Sequence, residues 1–246
     1  MGKPKKVIPD LCRGFVLAEE ERDVTTRDCI LYALGTAACQ VHLVPGEAAP
    51  LTDCSYLMTQ DPLDEKDLRY CYEGSSLGFS VLPTFATTFM SVAAIFEGLD
   101  KCPGLPDFNP MRLLHGEHKL TLFQPLQADI RVRCRAAIQD VLDKRVDSGL
   151  AKMGGFSRPI LHGLCTLGIA TRHIIKECLD GDPARVASIS CRFTAPTTPG
   201  DRLRVCMWGV NTSTVVFQVL DLSNKGTVVL RGTLEIKPLT TGNAKL

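Results

Sequence analysis

The stretch Gly154-Gly155-Phe156-Ser157-Arg158-Pro159-Ile160-Leu161-His162-Gly163-Leu164-Cys165-Thr166-Leu167-Gly168 constrains the fold most. A glycine-rich turn leads through a proline into a long apolar run. Pro159 suits the first position of a helix, where its missing N–H costs nothing. The run predicts a helix from Ile160 to about Leu179, small or apolar on most faces, with Leu164, Leu167, Ile169, Ala170, Ile174 and Ile175. Such a helix needs burial, typically under a sheet that wraps it. Its start presents free backbone N–H groups and the positive end of the helix dipole, which suit a carbonyl oxygen or an anion. His162 reads as a helix-start histidine bonded to local backbone.

The rest of the chain supplies the sheet. Thr214–Leu220, a turn at Asn224-Lys225-Gly226 and Thr227–Ile236 read as a hairpin of β-branched, apolar strands. Ser190–Phe193 and Arg202–Cys206 read as two more strands around Pro196, and Lys119–Phe123 and Ile130–Cys134 as two around Pro125. Thr26–Gly35 reads as a short helix with Thr or Asp at its start and Gly35 at its end. One long helix with antiparallel strands predicts an α+β layer arrangement. The grammar also repeats. Gly74–Pro83 leads into an apolar run, Thr84–Phe96, expected to be helical, and Gly78-Phe79-Ser80 matches Gly155-Phe156-Ser157, so a duplicated fold is expected.

Composition narrows the function classes. Lys and Arg total 28 against 27 Asp and Glu, so no basic field exists for nucleic acid. No apolar run reaches membrane-span length, and the basic start Met1–Lys6 lacks a signal-peptide core. Eleven scattered cysteines without a C-x-x-C pair argue for reduced thiols, not for zinc or a disulfide framework. Ala244-Lys245-Leu246 is similar to a peroxisomal import tripeptide of the Ser-Lys-Leu type.

The segment Gly155-Phe156-x-x-Pro159-Ile160-Leu161-His162-Gly163 resembles that of MaoC-like (R)-specific 2-enoyl-CoA hydratases. Asp67-Leu68-Arg69-Tyr70-Cys71-Tyr72-Glu73-Gly74, Leu82-Pro83-Thr84-Phe85 and Leu113-Leu114-His115-Gly116-Glu117-His118-Lys119 resemble the first half of the hydratase 2 unit of peroxisomal multifunctional enzymes. The resemblance runs from about residue 22 to the end. It implies a double hot-dog fold, an antiparallel sheet wrapped around a central helix in each half, with the first repeat incomplete. The halves fall at residues 1–144 and 145–239, and 240–246 form a tail with the targeting signal.

The implied activity is the interconversion of trans-2-enoyl-CoA and (3R)-hydroxyacyl-CoA in peroxisomal fatty acid β-oxidation. The CoA thioester is substrate and no cofactor or metal is expected. The implied partners are acyl-CoA, a peroxisomal import receptor and a second copy of the chain in a homodimer, with no nucleic acid and no membrane span. No G-x-G-x-x-G follows a strand, so no dehydrogenase domain is expected. The implied substrate-binding residues are His115 and Gly116 along the acyl-CoA, Lys144 near the CoA phosphates, Gly163 at the thioester oxygen and Phe193 as an apolar wall.

The family's catalytic Asp and His lie in an Asp-x-Asn-Pro-Leu-His segment upstream of the helix. Here Arg145 falls where that His belongs, Asp147 matches the Asp that follows it, and the Asp-x-Asn-Pro start is missing at the Lys144–Arg145 junction. Asp107-Phe108-Asn109-Pro110 has the right letters, but His115 lies five residues beyond Pro110 instead of two, so a turn is expected there. No catalytic residue is assigned. The alternative to an enzyme is an inactive remnant or splice form that binds acyl-CoA or a partner protein.

Overall fold

A computed structural model of the chain describes residues 2–36, 55–56, 63–110, 113–142 and 159–238. The contacts divide it into two compact units that interleave along the sequence.

The first unit comprises Met1–Val24, Thr87–Leu114 and Asp129–Arg158. A helical turn, α1 (Pro9–Cys12), precedes the strand β1 (Val16–Val24). β1 pairs antiparallel with a later strand of the same unit, Ile130–Ala137, and these two strands are its whole described sheet. The register sets glutamates opposite arginines. Arg133 donates to Glu21 at 2.8 Å and Arg135 to Glu19 at 3.0 Å, exposed pairs of small net value. A helix over Val92–Lys101 packs on β1, with Gly98 directly against the Leu17 backbone. The apolar run expected as one helix over Thr84–Phe96 is broken. A 3-10 turn covers Pro83–Thr88, and Ser91 then caps a new helix by accepting from the Ala94 N–H at 3.3 Å. Val92 stays 61% exposed.

The second unit comprises Thr25–Ala86, His115–Ala128 and Pro159–Leu246. It begins with the helix α2 (Thr26–Gly35), whose bounds match the sequence reading. Thr25 and Asp28 close a capping box at its start. The short strand β2 (Ser55–Tyr56), the helical turn α3 (Glu65–Leu68) and the strand β3 (Glu117–Thr121) follow. Numbered in chain order, the first unit's helix Val92–Lys101 is α4 and its strand Ile130–Ala137 is β4. Next come the long helix α5 (Gly163–Cys178), β5 (Val186–Phe193), β6 (Leu203–Asn211), β7 (Thr214–Asp221) and β8 (Thr227–Ile236). The sheet is antiparallel throughout, in the order β2-β6-β7-β8-β5-β3.

α5 lies on one face of this sheet, as the sequence required. Leu167, Ala170, Ile174 and Ile175 are fully buried with Ile189, Phe217, Val219, Leu230 and Leu234 from the strands. Strand alternation explains this selection, because every second residue of β5, β7 and β8 points to the helix. The architecture is the expected hot dog. Two strands from the sequence's first half, β2 and β3, form the edges of the sheet otherwise built by the second half. α5 starts later than expected. Pro159 precedes it, Leu161 bridges to Thr197 with a 2.7 Å N–H···O bond, and His162 is the N-cap. The β7–β8 turn runs through Lys225 in the left-handed region and Gly226, which together reverse the chain.

α5 also carries a buried charge cluster. Arg172 is fully buried and donates through Nη1 to Asp67 of α3, itself fully buried. Lys176 donates to the other Asp67 oxygen at 2.8 Å and to Asp64 at 2.9 Å. This cluster fastens α3 to the central helix. Among the described residues no helix is long and apolar enough to cross a membrane.

Candidate functional site

The start of α5 is built by its neighbours. His162 accepts the Leu164 N–H on Nδ1 at 3.2 Å, which satisfies one of the helix's leading donors. This is the local role expected for it. Gly163 follows, and the Phe193 ring at the end of β5 packs against it. A Cβ on Gly163 would lie 2.6 Å from that ring, closer than real Cβ contacts come, so only glycine fits. Phe193 in turn donates its N–H to the Gly116 carbonyl at 2.9 Å, which seats the segment leading into β3.

His115 completes the group. Its ring stands edge-on to Phe193 at 5.0 Å between centroids, 5.3 Å from His118 and 6.2 Å from His162. Burial lowers the His115 pKa below the usual histidine value, and repulsion from His162 adds to this, partly offset by a hydrogen bond that the ring donates to the Glu117 backbone. His118 is lowered by burial and by His115. His115, its pKa lowered, therefore stands beside a helix N-terminus and an aromatic wall, with His118 on its other side. Such a place suits a polarised carbonyl with an apolar chain, since the positive end of the helix dipole favours the oxygen and the rings meet the carbon skeleton.

The structure thus brings together His115, Gly116, Gly163 and Phe193, four residues expected from the sequence. Lys144, with Arg145 and Asp147, lies outside the described residues, as does the tripeptide Ala244-Lys245-Leu246. Asp107 is engaged by Lys3 at 3.2 Å. No group of three or more His, Cys, Asp or Glu among the described residues could hold a metal ion.

The sequence marks His118 only as part of the segment Leu113–Lys119, with no role of its own. Its place on the helix side of β3 follows from alternation with Leu120, once β3 is known to pair with β5. The buried Asp67–Arg172–Lys176 cluster was missed. Its one sequence signal is charge inside an otherwise apolar helix.

Comparison with known proteins bears on this arrangement. Residues 23–152 match the family model of the MFE-2 hydratase 2 N-terminal domain, and residues 146–229 match that of the MaoC like domain. The chain is 28% identical over 222 residues to the peroxisomal multifunctional enzyme type 2 of Mus musculus, covering 58% of this chain and 30% of that one. It is 26% identical over 322 residues to the peroxisomal enoyl-CoA hydratase 2 of Arabidopsis thaliana, covering 94% of this chain and 96% of that one. The chain spans under a third of the mouse relative's length. The plant alignment is longer than this chain's 246 residues, so the relative carries residues this chain lacks. A crystal structure of a MaoC-like dehydratase from Phytophthora capsici superimposes with a TM-score of 0.62 at 20% identity, covering 93% of this chain and 96% of that one, and shares the fold. With more than half of its residues in the first match, the chain belongs to the family of the MFE-2 hydratase 2 N-terminal domain, continued by a MaoC-like domain.

Proposed function

We propose that this chain is an (R)-specific 2-enoyl-CoA hydratase-type protein of peroxisomal fatty acid β-oxidation, taking the CoA thioesters of trans-2-enoic and (3R)-hydroxy acids. The thioester carbonyl sits at the start of α5, against Gly163, with Phe193 and His115 beside the acyl chain. The observation that carries this reading is the convergence of His115, Gly116, Gly163 and Phe193, distant in sequence, on one helix start. Lys144 is proposed as the contact to the CoA phosphates. Hydration adds water across a carbon–carbon double bond without changing the overall redox state, so it asks for no hydride carrier.

A positioned base and acid each contribute about 10²–10⁴-fold to such a reaction. Arg145 at the place of the family's His, and the missing Asp-x-Asn-Pro start, favour a second reading in which the chain binds the thioester and turns it over negligibly. Loss of enoyl absorbance from trans-2-enoyl-CoA decides between them. Negligible loss, with saturable binding, supports the binding reading. A rate matching an intact relative supports the enzyme. No binding and no turnover overturns both.

The names of the relatives and the tripeptide Ala244-Lys245-Leu246 support peroxisomal import through a receptor. A fluorescent protein fused upstream should be punctate, and diffuse after deletion of Ala244 to Leu246. Diffuse signal without the deletion would refute the assignment.

A further inference from the structure

The sheet face turned away from α5 carries a groove of about 810 Å³. Its lining follows from the register. Glu117, Arg192, Arg231 and Gln218 stand side by side across β3, β5, β8 and β7. Two residues along, Lys119, Ser190, Thr233, Val216 and Trp208 form the next row, which reaches β6.

Two features of these rows are costly for a surface that only meets water. Arg192 and Arg231 are direct cross-strand partners, and like charges in that position destabilise a sheet. Arg192 has Glu117 at 3.4 Å, but among the described residues no carboxylate reaches Arg231 or Lys119. At the other end Trp208 is 42% exposed beside Val216, which is 37% exposed. The groove therefore offers cations at one end, an aromatic face at the other, and the hydroxyls of Ser190 and Thr233 between them.

We propose that this face binds a purine nucleoside diphosphate, with the base stacked on Trp208 and the phosphates held by Arg231 and Arg192. Trp208 and Arg231 are two strands and two residues apart, a diagonal of about 12 Å, comparable to the reach from a purine to a terminal phosphate. Guanidinium groups suit phosphate oxygens because their paired N–H donors match them bidentately. A single aromatic and three cations, in a chain with balanced charge, fit a small ligand and not a polynucleotide. The site lies on the sheet face opposite α5 and does not depend on the thioester reading.

Trp208 is the chain's one tryptophan, so its emission reports this face. ADP should quench it saturably, with adenosine and inorganic phosphate each binding at least about tenfold more weakly. Arg231 is exposed, and Arg231→Gln should leave the circular dichroism spectrum unchanged while weakening ADP about tenfold. Absence of a saturable response to ADP, equal affinity of Arg231→Gln, or a response to single-stranded DNA without one to ADP would each overturn the proposal.

Discussion

Gly163 and Phe193 occupy one another's space: the ring fills the volume a Cβ on Gly163 would need, 2.6 Å from its nearest atom. This contact joins the start of the central helix to the end of β5. Gly163→Ala should push the ring aside and cost about 1–3 kcal/mol, the usual penalty for overfilling a packed site. Gly163→Ala combined with Phe193→Leu should recover much of that loss. Urea unfolding of the single and double variants measures it, and an undestabilised Gly163→Ala would contradict the packing.

The buried cluster on α5 gives a second expectation. Asp67 receives both Arg172 and Lys176 with no exposure of its own. Asp67→Asn leaves the Arg172 charge buried and uncompensated, at a cost of about 3–5 kcal/mol. Asp64→Asn removes only one of the two partners of Lys176, at a partly exposed carboxylate, and should cost about 1 kcal/mol or less. Thermal unfolding of the two variants should keep that order, and equal effects would contradict the account.

Much of the second unit was legible in the sequence because it obeys local rules. The run of β-branched residues before Asn224-Lys225-Gly226 reads as a hairpin, and a Thr or Asp at the start of Thr26–Gly35 reads as a helix cap. Helix starts were less legible. Pro159 suited a first helical position, but the bridge of Leu161 to Thr197 keeps the chain extended until His162, a tertiary effect outside the local sequence. The break between Thr88 and Ser91 was hidden in the same way, inside a run of apolar residues. At the site, His115 and Phe193 were found by resemblance, whereas the pairing of Arg172 with Asp67, 105 residues apart, has no local signature.

Acidification should weaken the fold through the histidines. His173 is buried, and burial together with Arg172 and Lys176 holds its pKa well below the usual value of 6.5. Arg172 donates to its Nε2 at 3.2 Å, which fixes it neutral. The unfolded chain takes up the proton first, so stability is full above about pH 6.5 and falls below it. It keeps falling until the depressed folded pKa is reached. The loss is at most about 1.4 kcal/mol per pH unit for the buried His173, and His115 and His118, both partly exposed and screened by solvent, add less in the same direction. Urea midpoints should fall from about pH 7.5 to about pH 5.5, and a midpoint that rises would contradict the sign.

β3 ends the six-stranded sheet, and beyond it Phe123 is 95% exposed. Among the described residues no strand pairs with the outer side of β3, and such an edge beside an exposed aromatic invites association with another strand. The chain should therefore sediment as a dimer or larger. Thr121→Pro, which blocks edge pairing, and Phe123→Glu should each move it toward monomer. A wild-type monomer across the micromolar range would contradict this expectation.

Calorimetric titration of trans-2-enoyl-CoA into the wild-type chain and Gly163→Ala tests the central claim most directly. Binding to the wild type should be saturable, and weakened about tenfold or more when a Cβ displaces Phe193 and blocks the helix start. Equal affinity in the two proteins, or no binding to the wild type, would contradict it.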